Sequence, residues 1–263
     1  MQNGLRNIII LLALLCTFLA AENKLVSSSS LVGMSMDYRE YGRGGEILDS
    51  EKSDYIEMRG VDIGIGYLFL KEDSYDKINF NLLYLRGKSA YKGSYIGSGA
   101  GYGSVVSQTV NDLIDIELSY KKAYFIGESL ELNYALGLGY RYWNRELSVS
   151  QSEVYKWFSL RPMVGLTYDI SKSFFVKTSL EYQYGINPVT LAVEEDYEFM
   201  LGSANIFQTA VSLHYTIKPK LNIFLEYNSE VQEIEASNTV AGFYEPDSTA
   251  NNKYIKIGIS SKY

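Results

Sequence analysis

From about residue 25 onward, large apolar side chains occupy every second position over stretches of roughly seven to twelve residues, with small or polar residues between them. The clearest run is Leu130 to Trp143, where Leu132, Tyr134, Leu136, Leu138, Tyr140 and Tyr142 alternate with Glu131, Asn133, Ala135, Gly137, Gly139 and Arg141. Val61, Ile63, Ile65, Tyr67 and Phe69 repeat the pattern, as do Ile78, Phe80, Leu82 and Tyr84, and later Leu221, Ile223, Leu225 and Tyr227. Successive side chains of a strand point to opposite faces, so this spacing predicts strands with one apolar face. No stretch of comparable length after the first twenty residues carries a helical stripe.

Short polar turns are expected around Asp73, Glu128, Lys172 and Pro219. They are spaced about 45 to 55 residues apart, room for two strands and one long connection each. The long connections are expected near 42–54, 86–112, 146–153, 186–204 and 233–251, which are rich in Gly, Ser, Asn and acids. This organisation gives about ten strands with both termini on the short-turn side; one miscounted long connection would make eight or twelve.

The contents of the two faces decide the surroundings. A soluble sandwich turns its charged face outward and hides its apolar one. Here one face is continuously apolar, almost free of charge and rich in Tyr near its ends, while the other mixes Gly, Ser and Asn with ions. That pattern predicts an all-β protein: a closed, antiparallel, up-and-down transmembrane β-barrel with lipid outside and a polar interior. Closure is required, because an open sheet edge in hydrocarbon leaves backbone groups unsatisfied at several kcal/mol each.

The N-terminus adds an address. Arg6 precedes the run Ile8 to Leu15, which passes through Cys16 to the small pair Ala20-Ala21. This is the pattern of a secretory signal peptide over residues 1–21, followed by a single barrel domain over 22–263. Leu15 before Cys16 does not suit lipidation, and Cys16 reads as part of the apolar segment. Cleavage removes Arg6 and no acid, leaving the mature chain one charge more negative than the −7 of the 263-residue sequence. That acidity argues against nucleic acid as a partner. One His and one Cys are too few for a metal or haem site of the usual soft ligands, so no metal or cofactor is expected.

At the other end, Tyr263 is preceded at alternate positions by Ser261, Ile259, Ile257 and Ile255. A terminal aromatic after alternating apolar residues resembles the signal read by the bacterial barrel-assembly machinery. The expected setting is therefore the outer membrane, with its lipid and lipopolysaccharide as surroundings and the chain as a monomer. Two residues strain this picture. Pro162 on the apolar face should mark a bulge or a lost ladder bond, and Lys122 on the same face must lie close enough to the interface to snorkel.

Parity places Asp115, Glu117, Glu181, Glu226 and Glu230 in the lumen together with Lys121, Arg141, Arg161, Lys177 and Lys256. These are expected to form a structural network of ion pairs that blocks free flow, since a barrel of about ten strands is only moderately wider than one its side chains fill. His214, the sole histidine, shares the lumen face with Ser212 and supplies weak candidate catalytic residues. It lies near the turn at Pro219, away from the long connections, which suits a packed histidine better. Gly97, Gly99, Gly101 and Gly103 lack the helix and lysine of a phosphate loop. Glu194, Glu195, Asp196 and Glu198 read as a solvated acidic loop.

Ten strands, short inner turns, long outer connections and the strand Gly137-Leu138-Gly139-Tyr140-Arg141-Tyr142-Trp143 resemble the omptin-type outer-membrane barrels. The resemblance is architectural and spans the mature chain. It implies the omptin fold and, in that family, a peptidase built from an Asp pair and an Asp–His pair at the extracellular rim. Ser212, two positions before His214, is not an acid, and Asp112 and Asp115 do not restore the pairs, so only the fold is carried over. The function expected is an outer-membrane barrel with a structural, adhesive or ligand-contact role through its outer connections. The alternatives are a hydrolase of protein or lipid A built on His214, and a narrow channel.

Overall fold

The computed structural model describes residues 25–94, 101–148 and 151–261. The proposed signal segment, Gly97 and Gly99 of the glycine run, and Tyr263 lie outside the described residues. The strands are β1 (Leu25–Tyr41), β2 (Ile47–Leu70), β3 (Ser74–Gly93), β4 (Val105–Ile126), β5 (Leu130–Ser148), β6 (Gln151–Asp169), β7 (Phe174–Ala192), β8 (Tyr197–Met200), β9 (Ala204–Lys218), β10 (Leu221–Ile234) and β11 (Asp247–Ser261). No helix occurs among the described residues.

Every strand pairing is antiparallel and joins neighbours in the chain, except that β7 also pairs with β9, and β1 pairs with β11 from Ser28↔Ser260 to Tyr41↔Asp247, closing the barrel. β7 pairs with β9 from Phe174↔Tyr215 to Tyr184↔Asn205 and, in the same register, with β8 from Val189↔Met200 to Ala192↔Tyr197. Thus β8 and β9 are one wall strand interrupted opposite Asn187 and Pro188, where Asn187 has φ 47°. The barrel therefore has ten wall strands, the count expected from the periodicity. Its short turns fall at 71–73, 127–129, 170–173 and 219–220.

The outward face carries the apolar series found in the sequence: Leu118, Leu136, Leu138, Val164, Leu180, Val211, Leu225 and Ile257 are all more than 40% exposed. Exposed Tyr67, Tyr120, Tyr134, Tyr168 and Tyr215 ring this belt near the short turns, and Tyr84 and Tyr184 flank it toward the opposite end. In water so much contiguous apolar surface would drive association; facing lipid it costs nothing, and the aromatic rings suit the two interfaces. Beyond Tyr84 and Tyr184 the outward face turns polar, with Arg86 paired to Asp112 at 3.2 Å.

The strands do not stop at that level. β3 and β4 pair without a break from Ser74↔Tyr124 to Gly93↔Val105, and β5 and β6 pair out to Ser148↔Gln151. Most of the segments 86–112 and 146–153, expected as loops, are strand. Their polar composition reflects an outward face in water instead of lipid, not a loss of ladder pairing.

The two strained residues are accommodated. Pro162 keeps its partner Leu136 on β5, but the ladder to β7 is interrupted between Leu160↔Tyr184 and Met163↔Glu181 with no change of register. Lys122 lies in the ring near the short turns, its ammonium 5.2 Å from the centre of the Tyr124 ring. On β2 the pairing to β3 jumps from Lys52 to Met58 while Ser53 still pairs with Met36 of β1, so residues 54–57 bulge from the wall, and Asp54 Oδ1 accepts the Ile56 and Glu57 amides at 2.8 and 3.0 Å.

Candidate functional site

The lumen is filled in layers. Midway along it, Arg141 donates Nε to Asp115 at 2.7 Å, Nη1 to Glu230 and Gln232 at 3.0 Å each, and Nη2 to Glu230 at 2.9 Å. Arg161 holds the other side of Asp115 through Nη1 at 2.6 Å and Nη2 at 3.1 Å, and lies 3.7 Å from Glu117. Lys256 binds Asp62 at 2.6 Å and Glu226 at 3.2 Å. Glu181 accepts from Gln183 at 2.8 Å, and a void of about 70 Å³ is left among these groups. Eight of the ten residues expected in a lumen network are brought together here. Small residues make the room: a Cβ on Gly139 would lie 2.1 Å from Arg161 Nε, and one on Gly137 would lie 3.0 Å from Glu117 Oε1.

Lys121 and Lys177 are not part of this layer. Lys121 stands four residues, about 13 Å, down β4 from Glu117, opposite Lys77 on β3. Lys177 stands opposite Thr167 and Ser212, near the short turns. Parity sets the face of a side chain but not its height, which the stagger of strands in a closed barrel decides.

A layer that the sequence reading missed lies around and beyond the ions. Met34, Met36, Met58, Leu85, Leu113, Trp143, Trp157 and Ile206 form a buried apolar core inside the barrel. It continues into a second ionic cluster at the long-connection end. Arg145, fully buried, donates to Glu51 through Nε at 3.0 Å and Nη2 at 2.8 Å, and through Nη1 to Glu40 and Glu153 at 2.8 Å each. Its guanidinium carbon lies 4.3 Å from the centre of the Tyr38 ring, 5.4 Å from Trp143 and 5.7 Å from Tyr155. Tyr155 donates its hydroxyl to Glu245, and Ser89 donates to Glu51.

Glu40, Glu153 and Glu245 bring carboxylate oxygens within 4.8 Å of one another, yet Arg145 is the cation in contact with two of them. One guanidinium serves several acids, so burial, reinforced by Glu40, pushes the Glu245 carboxyl up to about 8. Glu245 belongs to the β10–β11 connection, which is tied to the β8–β9 break by Asn238 N to Met200 O at 3.0 Å and Gly202 N to Ala236 O at 3.1 Å. Glu40, Glu51 and Glu245 went unread because they lie in or beside segments taken for loops. The available signal was the same period of two, carried by Met34, Met36, Tyr38 and Glu40 of β1.

His214 and Ser212 do meet, with Ser212 Oγ 2.9 Å from His214 Nε2. The imidazole is stacked between Phe175, 4.5 Å away, and Phe224, 5.3 Å away, and is buried. Its Nδ1 has no partner among the described residues, so the pair lacks the carboxylate that orients the base of a catalytic triad. The pair lines a chamber at the short-turn end, on the far side of the mid-lumen ions from Arg145. The acidic residues Glu194, Glu195 and Asp196 form the tight β7–β8 turn, where Glu194 accepts the Ser152 amide at 2.7 Å.

Comparison with solved structures places this arrangement. The outer membrane protease OmpT of Escherichia coli superposes with a TM-score of 0.57 at 11% identity, over 92% of this chain and 98% of that one. The architecture is omptin-like. The translocator domain of the autotransporter NalP from Neisseria meningitidis matches with a TM-score of 0.43 at 10% identity, over 100% of this chain and 95% of that one. Ail of Yersinia pestis matches with a TM-score of 0.37 at 14% identity, over 90% and 99%. No family model and no curated protein matches the chain. The omptin-like wall here carries an arginine–glutamate cluster at its long-connection end, and the sole histidine sits at the other.

Proposed function

We propose that the chain is a monomeric outer-membrane barrel, exported by a signal over residues 1–21, whose sealed wall is a rigid support for contacts made at its long-connection end. The observation that carries this reading is the Arg141–Asp115–Arg161 assembly with Glu230, which joins β4, β5, β6 and β10 across the lumen. A channel leaves its axis to water, whereas here ion pairs and an apolar layer occupy it in succession. The apolar belt and its flanking tyrosines support lipid, with its lipopolysaccharide, as the surroundings. β11, with Ile255 and Ile257 facing outward, supports recognition by the barrel-assembly machinery. Exposed Ile56, Val106, Met200 and Phe243 at the long-connection end suit contact with a ligand or another surface.

Hydrolysis is the competing reading, because Ser212 and His214 are in contact. Against it stand the missing partner at Nδ1 and the position of the pair, remote from the end where surface substrates arrive. Purified folded protein assayed against peptides and lipid A is expected to show no turnover. Turnover abolished by His214→Ala would replace the contact role with an enzymatic one. Fractionation with heat-modifiable gel migration tests location and closure together, and recovery of a detergent-free monomer in solution would sink the membrane assignment.

A further inference from the structure

Around the mid-lumen void of about 70 Å³, charge and hydrogen bonding are both left incomplete. Asp62, Asp115, Glu117, Glu181 and Glu230 line it, five carboxylates against the three cations Arg141, Arg161 and Lys256. Those cations are engaged: Arg141 by Asp115 and Glu230, Arg161 by Asp115, and Lys256 by Asp62 and by Glu226 from outside the lining. Among the described residues Glu181 accepts from the Gln183 amide at 2.8 Å and stands in no ion pair, and Glu117 repels it more strongly than Arg161 attracts it. Glu117 has Arg161 at 3.7 Å. From the short-turn side Lys77 is drawn to Glu131 ahead of Glu117, and Lys121 is drawn to Glu131; neither lysine lines the void.

The neutral groups on the same lining point the same way. Gln183 Oε1, Asn228 Oδ1 and the Tyr254 hydroxyl have no partner among the described residues, and each side chain is about 2% exposed. The orphan on Gln183 is its carbonyl oxygen, because its Nε2 donates to Glu181 and, at 3.4 Å, to Gln208. The barrel register gathers these groups. Gln208 of β9 lies between Glu181 of β7 and Glu230 of β10, and Asn228 is the direct partner of Tyr254 on β11. Buried acceptors without a donor or a cation are rare because each forfeits its hydration.

We propose that the mid-lumen void is a binding site for one divalent cation of calcium size. Glu117 and Glu181 supply the charged ligands, Gln183 Oε1, Asn228 Oδ1 and the Tyr254 hydroxyl the neutral ones, and water completes the shell. Every donor is oxygen, as a hard cation requires; calcium takes about six to eight such ligands in a flexible arrangement, whereas magnesium keeps its own waters in a strict octahedron. A water occupies about 30 Å³, so the void has room for the ion and one or two waters. Two positive charges cancel the excess of carboxylates, and the ion ties β4 to β7, β10 and β11. Entry is from the short-turn chamber, which Glu226 lines while it shares Lys256 with Asp62. The site goes beyond the contact role proposed above and holds whether or not the far end meets a partner.

The test uses the full mature chain, folded in detergent and stripped with a chelator, titrated calorimetrically with calcium chloride. Terbium chloride serves as a second probe, with luminescence sensitised by Tyr254. Calcium is expected to bind saturably at one ion per chain and to displace terbium. Glu181→Gln and Asn228→Leu each weaken calcium at least tenfold. Glu153→Gln in the Arg145 cluster and Glu195→Gln in the β7–β8 turn leave it unchanged, which separates this site from other acidic groups. Glu181→Gln also removes a repulsion, so in chelator it should unfold in urea no earlier than the wild type, while only the wild type gains resistance when calcium is added. Heat-modifiable migration shows that each variant is folded. Absence of saturable calcium binding, or calcium binding indifferent to Glu181→Gln and Asn228→Leu in folded protein, overturns the proposal.

Discussion

Arg141 and Glu230, 89 residues apart in the chain, face each other across the lumen through a two-pronged contact of 3.0 and 2.9 Å. Both side chains are about 2% exposed, so neither ion has water to fall back on. Removing one partner of a buried pair costs about 3–5 kcal/mol, because the other stays charged and uncompensated. Arg141→Met is therefore expected to lower the stability of the detergent-folded barrel by roughly that amount. Arg141→Met combined with Glu230→Met should recover part of the loss. Urea unfolding followed by tryptophan fluorescence checks both, and equal stability of Arg141→Met and the wild type would remove the network's structural role.

The same layer predicts electrical silence. Planar bilayers containing the purified barrel are expected to show no stable unit conductance, since the ions of Arg141, Arg161 and Lys256 are backed by the apolar layer of Met34, Met58 and Trp157. Steady unit openings from the wild-type protein would contradict a sealed lumen.

The long-connection end should respond to alkali. Glu245 ionises at an ordinary value of 4.5 when exposed and at about 8 when docked, driven first by burial and then by Glu40. It faces Glu40, Glu153, Asp49, Tyr155 and Arg145. Between those values the docked state holds a proton that the undocked state releases. The contribution of docking is thus full below about pH 4.5 and lost as the pH rises through about 8. Hydrogen exchange of residues 236–246 is expected to accelerate between pH 6 and 9 more than pH alone explains, and Glu245→Gln should abolish the excess.

The bend of β2 rests on two glycines. A Cβ on Gly60 would lie 1.7 Å from the Tyr84 carbonyl oxygen, and one on Gly87 would lie 2.0 Å from the Glu57 carbonyl oxygen. Both obstacles are backbone, so relief requires the strands to separate beside the 54–57 bulge. Gly60→Ala and Gly87→Ala are each expected to destabilise the barrel by about 1–3 kcal/mol, the cost of overpacking. Ala in place of Gly101, where a Cβ meets nothing, serves as the neutral comparison in the same unfolding measurement.

How far the sequence reached differs from residue to residue. Leu132, Tyr134, Leu136 and Leu138 announced a lipid-facing strand because alternation and side-chain chemistry are both local, and the turns at 127–129 and 170–173 were visible in the same way. Arg141 and Arg161 were assigned to the interior by parity alone, and they are there. Glu51 and Glu245 escaped notice: polar composition hid the fact that their segments continue the ladder or dock on it. Lys121 and Lys177 were placed on the right face, but they stand nearer the short turns than the ion layer they were expected to join.

By itself the sequence determined which way each side chain points and that the sheet must close, since a period of two and the cost of bare backbone groups in hydrocarbon are properties of the chain and its solvent. Only the tertiary structure decided which ions meet, where the apolar layer seals the axis, and that a chamber lined by Ser212 and His214 lies at the short-turn end. Those outcomes follow from the relative stagger of strands, which is fixed by the pairing of residues up to 232 positions apart, such as Ser28 with Ser260.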